Sequence, residues 1–448
     1  MYKVTLAIRY LLKRRIAYFA VLAVALCVFI VVVVMTVMTG RVSGFKQKNY
    51  NITGDCVIGT ESLVGFAYYE DLVETLDNAD FVEGLSPVIK SYGLINRMGS
   101  ERDGVEIMGI DPVRHSRATG FGNTLCYHND EPSRAFEPAY DPNLPGCIMG
   151  SDLDLKPDAD SRYGPQVSPE RMGYSVSCFP LTAKGAPAQA GTGMVNTKTF
   201  YYSDYSESGV PRVDGAVVYL PFEPAQQLCG MSGPVKRANA IHIKFKPGVR
   251  LEDGCEKVAS IWQSFKQAKS DEPQAYLLDT VRVQSWKDYR RESIAPMEKE
   301  QTVMIVMFAF VAVVVVFIVF VVFYMVISHK SKDIGILKSI GVSSLNVAGL
   351  FSGFAFLVGL LGSCIGTFAA LLFLRNMNRI EGWLFDHFSW QLFDRTIYAI
   401  GDIPSHAEPG MLAIIALSAI VACLAGALVP SWQAARQNPA ETLQVNQL

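Results

Sequence analysis

Four stretches of this 448-residue chain carry no charged side chain: Ile16–Thr39, Gln301–Ser328, Val342–Leu374 and Gly410–Ala435. About 20 apolar residues, at a rise of roughly 1.5 Å each, cross the hydrocarbon core of a bilayer, and every one of these stretches reaches that length. In hydrocarbon each backbone amide must be satisfied within the segment, so such runs fold as helices. Four spans are therefore expected. Half of the side chains are apolar, a share that two or three soluble domains would also have, but their concentration into these runs excludes that reading.

Lysine and arginine set the orientation. Lys3, Arg9, Lys13, Arg14 and Arg15 precede the first run without an acid among them, and Lys330, Lys332 and Lys338 follow the second. Basic flanks stay cytoplasmic, so both termini are expected inside. Residues 1–15 are read as a cytoplasmic N-terminus, 16–39 as span 1, 301–328 as span 2, 329–343 as a cytoplasmic segment, 344–374 as span 3, 410–430 as span 4 and 431–448 as a cytoplasmic tail. Residues 40–300 and 375–409 then lie outside; Arg375, Arg379 and Arg395 in the second of these count mildly against that placement. The first run is too long for the apolar part of a cleaved signal, and Met38-Thr39-Gly40 is a poor cleavage site.

Residues 40–300 are long enough for a core of their own and read as mixed α and β. Strand patterns occupy Cys56–Ile58, Gly84–Asn96, Val105–Ile110, Ala216–Leu220, Ala240–Phe245 and Tyr276–Val283; helical patterns occupy Tyr68–Leu76 and Leu251–Lys269. The Pro-, Gly- and Asp-rich stretches 111–146 and 156–213 read as long loops or insertions. The fold class is thus an α-helical membrane protein with four transmembrane helices and a large mixed α+β extracytoplasmic domain between helices 1 and 2.

Chemistry is sparse. The chain holds no H-E-x-x-H, no G-x-S-x-G and no phosphate-binding G-x-x-x-x-G-K-[ST]. Its six histidines are scattered singly, and Asp152 and Asp154 read as a solvated loop rather than a cation site. No catalytic residue, resident metal or cofactor is expected, and no basic block outside the membrane points to nucleic acid. Cys56, Cys126, Cys147, Cys178, Cys229 and Cys255 all fall in the outer segment, where 15 disulfide pairings are open and none has metal-binding spacing. The uncharged runs lack the ionisable groups that proton- or sodium-driven transport requires. Active transport by such a chain needs a motor supplied by another polypeptide.

Between the second and third runs lies K-D-I-G-I-L-K-S-I-G-V-S at 332–343, followed by G-F-A-F-L-V-G-L-L-G-S-C-I-G, and the chain ends in P-S-W-Q-A-A-R-Q-N-P-A-E-T-L from Pro430 to Leu443. With these segments the chain resembles the ABC-transporter permeases that include the lipoprotein-releasing subunits, the macrolide exporter MacB and the cell-division protein FtsX. Val42–Phe45, Gly109–Pro112, Val217–Leu228, S-W-K-D-Y-R-R-E at 285–292 and I-Y-A-I-G-D-I-P at 397–404 are similar to the lipoprotein-releasing branch. Stretches 111–146 and 156–213 are longer than that branch's pattern, and span 2 lacks an expected polar Asn.

The resemblance implies a MacB-like domain over 40–300, a dimer of permeases (two copies or two paralogues) and two ABC ATPase subunits that bind ATP and magnesium outside this chain. It makes Lys332, Asp333, Ile334, Leu337, Lys338, Ile340 and Gly341 the ATPase-coupling segment, with Ile334, Leu337 and Ile340 filling a groove and the two lysines at its rim. For a lipoprotein cargo passed to a periplasmic carrier, Val34, Met38, Phe45, Met304, Met307 and Phe308 are expected to line an acyl cavity at the level of the outer leaflet. A MacB-like exporter, an FtsX-like activator of a cell-wall hydrolase and an anchored receptor remain alternatives. The length of 40–300 disfavours the FtsX-like one.

Overall fold

A computed structural model describes residues 15–97, 102–154, 172–188, 195–329, 331–388 and 407–436. The chain divides into two compact units: a helical one of Met1–Ser43, Pro296–Leu392 and Asp402–Leu448, and an α/β one built mainly from Gly44–Ala295. The cytoplasmic N-terminus read at 1–15 lies almost wholly outside the described residues, as does the tail beyond Arg436.

Four helices in the first unit are long and apolar enough to cross a membrane. Helix 1 is Arg15–Asn51, helix 2 Arg291–His329, helix 3 Ser344–Phe388 and helix 4 Pro409–Arg436. Helices 1, 2 and 3 run ten or more residues past the uncharged stretches that announce them and helix 4 one residue at each end, because loss of apolar character ends a span without ending a helix. Helix 3 thus runs well into the segment read as an outer loop, of which 389–406 lie outside the described residues. Buried contacts recur every fourth residue: Ala20, Val24, Val28 and Val32 on helix 1 meet Val315, Val319 and Phe323 on helix 2, Phe354 and Val358 on helix 3, and Cys423 and Ala427 on helix 4. Lipid tails are as apolar as valine, so fit rather than water exclusion selects these faces. Glycines supply the fit: a Cβ at Gly366 would strike the Ala25 carbonyl, and one at Gly426 the Val316 carbonyl.

The α/β unit is organised by one long strand. In chain order its strands are β1 Cys56–Gly59, β2 Phe66–Ala67, β3 Val82–Arg97, β4 Arg102–Ile110, β5 Gly146–Gly150, β6 Gly173–Cys178, β7 Asn196–Ser206, β8 Val217–Pro221, β9 Arg237–Ala238, β10 Ala240–Phe245 and β11 Arg282–Ser285. On one edge β3 pairs with β4. On the other its first half pairs with β10 and its last residues, from Gly93, with β6. The ladder β3-β4-β8-β5-β7-β6 returns to β3, giving a closed six-stranded barrel, and β10, β1 and β11 extend from its side. Gly93 sits where β3 changes partners, and a Cβ there would collide with the Ser177 carbonyl and with Ile107.

Alternation fills the barrel. Tyr174, Val176 and Cys178 of β6 are buried while their neighbours are partly open, and they join Phe200, Tyr202, Val105, Ile107 and Val218 in one core. Helices Tyr69–Asp77 and Leu251–Ala268 pack on that core through Leu72, Leu76, Val258, Trp262 and Phe265. Two expectations are corrected. The stretches expected to be loops contain all of β6 and β7 and the first residue of β5, so two of the six barrel strands fall where loops are expected. Tyr276–Val283 is a 3-10 helix over Ala275–Thr280 before β11 begins.

Buried polar groups hold the loops. Asp204, fully buried, accepts from the backbone amides of Cys126, Tyr127 and His128 at 3.3, 3.0 and 3.0 Å. Arg237 donates to the carbonyls of Val64, Leu181 and Gly230 at 2.8, 2.9 and 2.7 Å. His115 and His242 face each other with ring centroids 5.6 Å apart, one bonded to the Ser86 hydroxyl at 3.0 Å, the other donating to the Thr53 carbonyl at 2.8 Å. Burial holds both imidazoles neutral: His115 is pushed down to about 3 and His242 well below its ordinary value. Below an unfolded-state value near 6.5, the unfolded chain takes protons that the folded one refuses. Stability is therefore complete above about pH 6.5 and falls as the pH drops toward 3. For His115 alone, moving from pH 6.5 to 5 should cost about 2 kcal/mol. Thermal melts of the full chain in detergent at the two pH values should show the loss, and His115→Gln should shrink it.

Candidate coupling face and membrane groove

The first candidate site lies at the end of the helical unit where helix 2 passes to helix 3. A short helix, Ser331–Ser339, occupies the connection and ends at Gly341, whose φ of +96° suits a residue without a Cβ. Ile334 is buried, packed among Ile327, Val347, Leu350, Phe351 and Ala434. It cannot fill a partner's groove, and this corrects the expected face of Ile334, Leu337 and Ile340. The short helix lies against helices 3 and 4, and its inward side claims Ile334 first. Lys338 is corrected too: its ammonium donates to the Ala435 carbonyl at 2.7 Å, where helix 4 ends and its carbonyls lack helical partners. Lys332, Asp333 and Leu337 lie within the short helix, with side chains outside the described residues.

The outward apolar residues are Ile336, Ile340 and Leu345, 49%, 77% and 85% exposed. Ile336 and Leu345 were missed by sequence reasoning. Nearby in sequence to the Lys338 partner, Trp432 is also exposed, with the Arg436 guanidinium 4.7 Å from its ring centre. Exposed isoleucine and leucine at the end of a helical bundle, between and at the edge of the apolar runs, form a face suited to a protein groove.

The second candidate is a groove of about 270 Å³ between helices 1, 2 and 4. Val28, Val31 and Met35 line it from helix 1, Phe308, Ala312 and Val315 from helix 2, and Ile415 and Ala419 from helix 4. No ionisable residue other than Cys27 lines it, and Ser418 adds one hydroxyl. Such a surface accepts an apolar chain and offers a hydrated ion nothing in exchange for its water.

Of the residues expected in an acyl cavity, Phe308 lines this groove. Val34 and Met304 are half-buried outside its lining, Met307 is exposed, and Met38 is buried, its sulfur 3.8 Å from an Arg41 guanidinium nitrogen. Phe45 belongs to the α/β unit, packed against a cluster that includes Val88, Met108 and Phe121. The expected set is therefore not brought together. Spacing along helices 1 and 2 could have joined Val28, Val31 and Met35, or Phe308, Ala312 and Val315; helix 4 carries no sequence signal for its part. Among the described residues, no three His, Cys, Asp or Glu side chains gather to hold a metal ion.

Residues 305–439 match a family model described as the FtsX-like permease C-terminal domain. The chain is similar over nearly its whole length to curated transmembrane proteins of lipoprotein-releasing systems. It is 21% identical to LolC of Xylella fastidiosa strain 9a5c, covering 98% of both chains, and 23% identical to LolC of Neisseria meningitidis serogroup B, covering 95% of this chain and 93% of that one. Among solved structures, the periplasmic region of MacB from Actinobacillus actinomycetemcomitans matches at 12% identity and a TM-score of 0.31, covering 55% of this chain and 97% of that one. The extracellular domain of the ABC-type transporter YknZ from Gram-positive bacteria matches at 9% identity and a TM-score of 0.30, covering 52% and 99%. In residues 305–439 the chain thus carries the pattern of an FtsX-like permease C-terminal domain, and over nearly its whole length it is similar to LolC-type transmembrane proteins.

Proposed function

We propose that the chain is the permease subunit of an ABC transporter that releases lipoproteins from the outer leaflet of a bacterial inner membrane. Both termini are then cytoplasmic, and the α/β unit stands in the periplasm. The observation that carries the proposal is the groove, an apolar recess of about 270 Å³ that opens among three candidate spans. Its chemistry fits acyl chains, which a lipoprotein must withdraw from the bilayer before a carrier accepts it.

The work of withdrawal comes from elsewhere. The chain has no phosphate-binding loop and no Asp, Glu, Lys, Arg or His in its four uncharged runs, so ATP and magnesium are bound by two separate ATPase subunits. The outward face of Ile336, Ile340 and Leu345 seats in a groove on that ATPase, and helices 2 and 3, joined by the short helix, carry its closure into the bundle. A second permease, identical or paralogous, completes the complex.

Depletion of the chain should leave acylated lipoproteins in the inner-membrane fraction, measured by fractionating membranes and following one lipoprotein. Unchanged lipoprotein sorting together with lost efflux of a peptide or small molecule would replace this reading with that of an exporter.

A further inference from the structure

Six cysteines fall within Gly44–Ala295, and the fold brings four of them into two pairs. Cys178 closes β6 and Cys229 follows the helix Phe222–Leu228; their sulfurs are 3.7 Å apart, and both side chains are buried. Cys56 opens β1, while Cys255 lies in the second turn of the helix Leu251–Ala268 packed behind it. Both belong to one packed core, Cys56 fully buried and Cys255 partly buried against it. Each pair joins a strand to a helical segment distant in sequence, across the core of the unit. We propose that these four cysteines are oxidised in the mature protein as two disulfides, Cys56–Cys255 and Cys178–Cys229.

The chemistry follows the sulfur environments. Each closure releases two protons and two electrons, which reduce the disulfide of a periplasmic dithiol–disulfide oxidant. A thiolate attacks that disulfide to give a mixed disulfide, the partner thiolate displaces it, and the oxidant leaves as a dithiol. One of the two pairs has a member suited to attack in the folded unit: the hydrogen bond with Cys56 lowers Cys255 against the effect of burial. Cys255 is half-buried and stays within reach of an oxidant in the folded unit. Cys178 and Cys229 are sealed, so their bond forms before the barrel closes over them.

The proposal rests on the periplasmic placement of the α/β unit, and its test separates the two. Cells expressing the full chain are quenched in acid, denatured with N-ethylmaleimide and digested without reduction, and the peptides are analysed by mass spectrometry. Linked peptides joining 56 to 255 and 178 to 229, lost on reduction, are the expected result. In a separate preparation Ser270→Cys, at an exposed turn, is treated with a membrane-impermeant maleimide in intact spheroplasts. If that reporter labels from outside while the four native thiols are found alkylated, the disulfides are wrong and the placement stands. If it labels only after permeabilisation and the four are alkylated, the placement fails and the disulfides with it. Any other linkage among the four also overturns the assignment. In full-chain melts, Cys178→Ala and Cys229→Ala should each lower the midpoint by about 10 °C, and the double variant by no more than either.

Discussion

Ala312→Trp is expected to stop lipoprotein release while leaving the chain folded in the membrane. Ala312 lines the groove from helix 2 and is itself exposed, so an indole placed there can enter the recess without displacing the packed core. An indole takes a large share of about 270 Å³. An acyl chain excluded from the recess loses contacts worth about 0.1–0.2 kcal/mol per atom pair over many pairs. A deficit of about 1.4 kcal/mol already means a tenfold loss, and release should fall by at least that factor. Val313→Trp is the control, because Val313 is 64% exposed and does not line the groove. Release of a labelled lipoprotein from spheroplasts to an added carrier distinguishes them. Equal release from both variants would remove the groove from the cargo path.

Why that groove was only partly foreseen is a matter of composition. Helix 1 contains V-V-V-V and helix 2 V-V-V-V-F-I-V-F-V-V. In such runs every face is apolar, so length and lack of charge identify a span while nothing in the pattern says which side meets a neighbour. Ala20, Val24, Val28 and Val32 form a buried line that the sequence hides among equivalent valines. The α/β unit failed in a different place. β3, β4, β8 and β10 are framed by clear alternation, and they were legible. β6 reads G-Y-S-V-S-C, with alternate positions small and polar, and β7 reads N-T-K-T-F-Y-Y-S-D-Y-S, rich in β-branched and aromatic residues between Gly- and Pro-rich flanks. Those flanks outweighed the strand signal. The coupling segment was legible in place and misread in direction, because helical spacing groups residues on a face without saying whether the face looks inward.

That misreading yields the second large effect. Ile340→Asp is expected to leave folding unchanged, since its side chain is 77% exposed and surface substitutions cost within about 0.5 kcal/mol. Yet it should weaken ATPase binding at least 30-fold, because a central apolar anchor is worth about 2 kcal/mol or more. Ile334→Asp should act in the opposite way. It puts a carboxylate among Ile327, Leu350, Phe351 and Ala434, costing several kcal/mol, and the chain's level in the membrane should fall. Membrane abundance and ATPase retention, measured together, separate the two. If Ile340→Asp keeps its ATPase, the outward face is not the docking surface.

The central claim is that this chain works only with a motor it does not contain. It is tested most directly by isolating the tagged wild-type chain from native membranes in mild detergent and identifying what remains bound. A P-loop ATPase in stoichiometric amount, together with a second permease chain, is the predicted result. Recovery of the chain without an ATPase, under conditions in which other membrane complexes stay intact, would contradict the account.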